Sequence, residues 1–232
     1  MDGISFNSLP RTFQDAIVVT RRLGLTYLWI DSLCIIQDSM EDWEKESKEM
    51  QNVYANAVIN ISADSAGDSS MGLGRTGNLN STLMSSIPIS RCGGFRVLNE
   101  EFPKLDRDFL SHSPSCLEDN WTRHELQTRA WVLQERILSR RILHFCHCEL
   151  VWECDTHVTC ECLPRRTDAR QNKIRRPLST VEREWDTISL WAKLAALYSA
   201  MNLSFERDRP NAIAGLATLV SKEWSLSYVH GL

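Results

Sequence analysis

Two short apolar runs, each preceded by a stretch with helical spacing, constrain this chain more than any other feature of its sequence. Ser8 to Gly24 reads as a helix, with Pro10 near its start, Gly24 closing its end and Phe13, Ala16, Ile17 and Leu23 on one face. Tyr27–Asp31 follows as an apolar run that ends in an acid, the pattern of a buried strand. Asp38 or Ser39 caps a second helix running to about Asn56, with Glu41 and Asp42 in its first turn and Trp43, Met50, Val53, Tyr54 and Ala57 as its stripe. Val58–Ala63 then reads as a second strand. Helix, strand, helix, strand at crossover spacing predicts an α/β fold with a mainly parallel open sheet and helices on both faces.

The rest of the chain is less even. Residues 64–121 open with a Ser- and Gly-rich stretch and read as a surface excursion with two short strands, at Ser86–Ser90 and Gly94–Leu98. Ala130–Leu138 looks helical. Ile142–Cys146 and Glu149–Cys154 look like strands around a tight turn at His147-Cys148. Thr156–Thr180 reads as a polar, basic, mobile loop, and Val181–Met201 and Asn211–Trp224 as closing helices. One domain is therefore expected over 1–232, divided into a first core block at 9–63, the variable excursion, a second core block at 122–154, a polar loop at 155–180 and closing helices at 181–224.

The 232 residues carry 30 acidic and 26 basic side chains, a net charge of −4, which argues against a nucleic-acid clamp. No apolar run approaches a membrane span and the first residues lack a signal peptide's apolar stretch, so a cytoplasmic protein is expected. Eight cysteines then read as thiols or metal ligands rather than disulfides. Cys146, His147, Cys148, Cys154, His157, Cys160 and Cys162 invite a zinc reading, but their close pairs are C-x-C on expected strands, and no metal site is assigned.

Three blocks together carry a resemblance. They are Leu9–Leu73, containing LWIDSLCIIQD at Leu28–Asp38; Leu126–Cys154, containing RAWVLQER at Arg129–Arg136; and Leu197–Ala217. In that order they resemble the fungal heterokaryon incompatibility (HET) domain over about two thirds of the chain. The resemblance implies an effector of non-self recognition that triggers regulated cell death when incompatible individuals fuse. HET domains have been likened remotely to TIR domains, which have flavodoxin-like sheets. Some TIR domains cleave NAD+ and others act as assembly scaffolds. A TIR-like core is therefore implied here, with extra strands and C-terminal helices. The upstream strand block with which HET domains usually begin is not seen before Leu9, and a sheet lacking it would expose edges that favour association.

Each candidate site residue has a functional and a structural reading. Glu46 follows Trp43 by one helical turn, as the essential glutamate follows a tryptophan in NAD+-cleaving TIR domains. The resemblance makes it the catalytic candidate, against a solvated helix residue paired with a lysine. Asp31 at a strand end either lines a ligand crevice or fixes a loop. Cys34 is either a nucleophile partnered by His124, His144 or His147, or a small buried thiol. Gln37 and Asp38 fix the loop or cap the helix. Arg129, Gln134, Glu135 and Arg136 form either a structural network or a fork that holds a diphosphate or carboxylate. Three functions follow: NAD+ hydrolysis with NAD+ as substrate, a non-catalytic module docking a protein partner or its own copies, and an inactive fragment.

Overall fold

A computed structural model of the chain describes residues 3–74, 125–146, 150–154, 157–160, 163–168 and 184–224. The first helix, α1, spans Arg11–Arg22. Pro10 stands at its N-cap, where a missing N–H costs nothing. Gly24 ends it at φ 71°, with the Gly24 N–H donating to Arg21 O (3.0 Å) and the Leu25 N–H to Thr20 O (3.0 Å). That left-handed residue and the paired bonds form a Schellman ending. Arg21 and Arg22 in the last turn suit the negative end of the helix dipole. The buried side of α1 carries Ala16, Val19, Leu23 and Asp15.

Tyr27–Ile30 does not become a strand. Its backbone is extended at Ile30 (φ −133°, ψ 122°), but among the described residues no ladder bonds reach it. The N–H groups of Leu33 and Cys34 donate to Ile30 O and turn the chain into a single helical turn, α2, over Asp31–Cys34. Tyr27 is 91% exposed. Helix α3 (Met40–Asn56) starts at Ser39, whose Oγ accepts from the Asp42 N–H at 3.2 Å. Asp42 reaches back to accept from the Ile36 N–H at 2.8 Å, so the loop and the cap hold each other.

Among the described residues, five strands form one sheet in sequence order: β1 (Asn60–Ser62), β2 (Arg141–Phe145), β3 (Leu150–Cys154), β4 (His157–Cys160) and β5 (Leu163–Asp168). Only β1 and β2 run parallel, in the register Asn60↔Ile142 and Ser62↔His144. The other three pairings are antiparallel, with Leu143↔Trp152, Trp152↔Thr159 and Val158↔Thr167 in register. The expectation of a mainly parallel sheet is thus corrected, and a TIR-like core is not what the described strands form. The cause is connection length. Parallel neighbours need a crossover of a dozen or more residues, whereas short links force antiparallel pairing. Residues 146–149, 155–156 and 161–162 are the only links among β2 to β5. Strands β4 and β5 also correct the polar loop expected from Thr156, because an edge hairpin tolerates the charged side chains that made it look like a loop. The strands expected at Ser86–Ser90 and Gly94–Leu98 lie outside the described residues.

Helices do cover both faces. Leu143, Phe145, Leu150 and Trp152 pack with Val19 and Leu23 of α1 and with Leu73. Leu73 is pinned over α1 because Asp15 accepts its N–H at 3.1 Å while Thr12 Oγ1 accepts that of Gly72. On the opposite face lie His144 and Glu153, approached by α4 (Ala130–Leu138) through Arg136. A second core joins Ala130, Leu133 and Ile137 of α4 to Leu194 and Tyr198 of α5 (Glu184–Ser199) and to Ala212, Ile213 and Leu216 of α6 (Arg209–Trp224). Gly215 permits the closest approach: its N–H donates to Gln134 Oε1 at 3.0 Å, and a Cβ there would sit 2.6 Å from that oxygen.

Candidate functional site

The two sequence blocks meet where α3, the turn before it and the start of α4 converge. Asp31 opens α2 and is exposed. The turn beneath it is held by Gln37, whose Nε2 donates to Ile35 O (2.8 Å) and Asp31 O (3.4 Å). Trp29 stacks edge-on against Tyr54 in the last part of α3, with ring centroids 5.9 Å apart and planes at 77°. Tyr54 lies beside Glu135 of α4, close enough for each to shift the other's proton affinity. Arg129 stands at the N-cap position of α4, fixed by an Ala130 N–H bond to Asn202 O (2.9 Å) and an Asn202 N–H bond to Thr128 O (2.8 Å). Through Asn202 the third sequence block supports the second.

The electrostatics single out Glu135. It is half-buried, and burial, reinforced by the neighbouring Asp31 charge, raises its pKa to about 7 against the opposing pull of the Tyr54 hydroxyl and the Arg129 guanidinium. Burial, then the Glu135 and Asp31 charges, push the Tyr54 hydroxyl well above its ordinary value, so it stays a neutral donor. The cluster therefore holds a carboxyl that can give or take a proton near neutrality, a second carboxylate at the surface and a guanidinium able to grip an anion. Paired carboxyls whose surroundings push their proton affinities apart are how proteins assign acid and base roles.

Of the candidates read from sequence, Asp31, Arg129 and Glu135 come together. Gln134 does not join them: it is 1% exposed and anchors α6. Nor does Arg136, which is buried and pairs Nε to Glu153 Oε2 at 3.1 Å. Glu46 is bonded to Lys45 Nζ at 3.0 Å, with a side chain 22% exposed. Trp43 is half-buried on α3, Asp38 is exposed and Ser39 takes the capping role. Cys34 is exposed rather than a buried thiol. His144 cannot serve as its base, because both ring nitrogens are engaged by carboxylates inside the sheet. His124 and His147 lie outside the described residues. Sequence reasoning missed Tyr54, which it placed in the apolar stripe. Its signal was there: a tyrosine on a buried face needs a partner for its hydroxyl. Among the described residues no group of three or more His, Cys, Asp or Glu side chains is placed to hold a metal.

These features define a mixed α/β protein with helices on both faces of a mostly antiparallel sheet and a carboxyl-pair cluster where its sequence blocks meet. The family model for heterokaryon incompatibility protein (HET) matches residues 2–135, more than half of the chain, and the chain belongs to that family. Comparison with curated proteins and with solved structures found no match. Among the described residues no helix is long and apolar enough to cross a membrane.

Proposed function

We propose that this chain acts in the cytoplasm as an effector of fungal non-self recognition, triggering regulated cell death on incompatible fusion. One observation carries the reading: the HET match over residues 2–135 takes in Trp29, Asp31, Tyr54, Arg129 and Glu135, all the members of the carboxyl cluster. An idle surface would not need a half-buried acid beside a second carboxylate, since such pairs cost stability and persist where they serve a task.

A second reading, NAD+ cleavage, is favoured by the same cluster. An anionic diphosphate suits Arg129, ribose hydroxyls suit Asp31, and Glu135 can take a proton from the attacking water near neutral pH. Glu46, the other carboxylate in this reading, stands apart with Lys45. A non-catalytic route, by docking a protein partner or a second copy, draws on the exposed Tyr27, Ile36 and Val58.

Induced expression in a fungal host, with viability and cellular NAD+ followed together, tests these readings. Loss of viability is the expected result; a soluble, abundant chain that leaves viability intact sinks the effector role. A fall in NAD+ that Glu135→Gln abolishes makes the effector an enzyme acting through the cluster. A fall abolished only by Glu46→Ala moves the chemistry to α3. Death with NAD+ unchanged supports docking.

A further inference from the structure

We infer that His144 is an imidazolium at neutral pH, and that its charge locks the buried carboxylates of Asp64 and Glu153 together across β1, β2 and β3. The ring lies in β2 and is fully buried. Its Nδ1 is 2.7 Å from Asp64 Oδ2, just past β1, and its Nε2 is 3.1 Å from Glu153 Oε2 on β3. A neutral imidazole has one N–H and one lone pair, so one of those carboxylates would face a lone pair in a site closed to water. A doubly protonated ring donates to both.

Further groups among the described residues join it. Asp64 Oδ1 accepts from Gln127 Nε2 (2.6 Å) and from Ser62 Oγ (2.9 Å) of β1. Glu153 Oε2 also accepts from Arg136 Nε of α4 at 3.1 Å. Among the described residues, Arg136 and His144 thus set two positive charges against the carboxylates of Asp64 and Glu153. Opposite the ring on β3 sits Val151, which is apolar. Burial opposes the charge on His144, but the Asp64 and Glu153 bonds outweigh it and raise its pKa above 6.5, while the same pairing lowers that of Asp64.

The sign follows from linkage. A histidine whose folded pKa exceeds its unfolded one stabilises the fold fully below about pH 6.5, and the contribution drains away as pH rises through the folded value. Above it, Glu153 and Asp64 lose their shared cation and the joint between the end of β1, β2 and β3 weakens, while the Arg136 bond from α4 to Glu153 remains. The clamp is a proton-dependent lock within the sheet, independent of which activity the candidate site performs.

Side-chain nitrogen NMR on the full chain tests this directly. At pH 7 the His144 ring should show both nitrogens protonated, with a midpoint above 6.5. Assignment comes from His144→Gln or, should that variant not fold, from Asp64→Asn, which disturbs Nδ1 first. A ring that is a single neutral tautomer at pH 7 overturns the inference. As a second readout, the unfolding equilibrium is followed in a Glu135→Gln background, which removes that residue's own titration. It should rise about tenfold per pH unit from 6.5 up to the His144 midpoint. A flat profile there equally overturns the clamp.

Discussion

Replacing Glu135 by Gln should make this protein more stable at pH 8 and less able to act. The folded state raises the Glu135 pKa from 4.5 to about 7, a displacement of about 2.5 pH units. At about 1.4 kcal/mol per unit, that represents about 3 to 4 kcal/mol of stability, an upper figure for a half-buried group. The direction matters. The folded chain binds a proton more tightly than the unfolded one, so stability is greatest below pH 4.5 and falls as pH rises towards 7. Glutamine keeps the shape of the side chain but carries no charge for burial and Asp31 to oppose. Urea unfolding of both proteins at half-unit steps from pH 4.5 to 8 reads the effect. The variant's advantage should be small at the acid end and grow by about 2 to 3 kcal/mol by pH 8, with unchanged slopes in urea. Titrating groups remote from Glu135 are common to both proteins and cancel in the difference. Two stability curves that stay parallel across the range would refute the assignment of a raised pKa to Glu135, and with it the chemical reading of the cluster.

Other outcomes follow from the packing. Gly215→Ala gains the helix preference of alanine, about 1 kcal/mol. Its methyl would, however, meet Gln134 Oε1 at 2.6 Å and Gln51 Cβ at 2.9 Å, so a net loss of about 1 to 3 kcal/mol is expected in thermal or urea unfolding. Ser39→Ala removes the acceptor for the Asp42 N–H and should cost about 1 kcal/mol by the same assays. Leu143→Ala empties a wholly buried site beneath α1 and should cost about 2 to 5 kcal/mol.

Local structure was legible in the sequence where local rules decide it. The stripe and caps of α1 and α3 gave those helices within a few residues, and RAWVLQERIL marked α4 at the residues it occupies. Sheet direction was misjudged because the pattern at residues 8–63 was extended to the whole sheet, although the tight link between the strands at 142 and 149 already implied antiparallel pairing there. Tyr27–Asp31 looked like a strand because its composition suits one; a strand also needs a neighbour to bond, and composition cannot supply that. The same holds for the site. Asp31 and Glu135 are over a hundred residues apart in the chain, as are neither Gln134 nor Arg136 from Glu135, yet the distant residue is the one that shares its surroundings. Helix phase separates the adjacent three: Gln134 faces α6, Arg136 faces the sheet and Glu135 faces Tyr54. His144 gave no local sign of its role, since Asp64 lies 80 residues away.

The central claim is that this HET-family chain acts through its carboxyl cluster. Its most direct test is expression of the parent chain and Glu135→Gln in the same fungal host, at matched abundance and with folding verified for both. The parent should kill and the variant should not. Equal killing by a folded Glu135→Gln chain would contradict the claim, leaving the cluster as a feature of the fold alone.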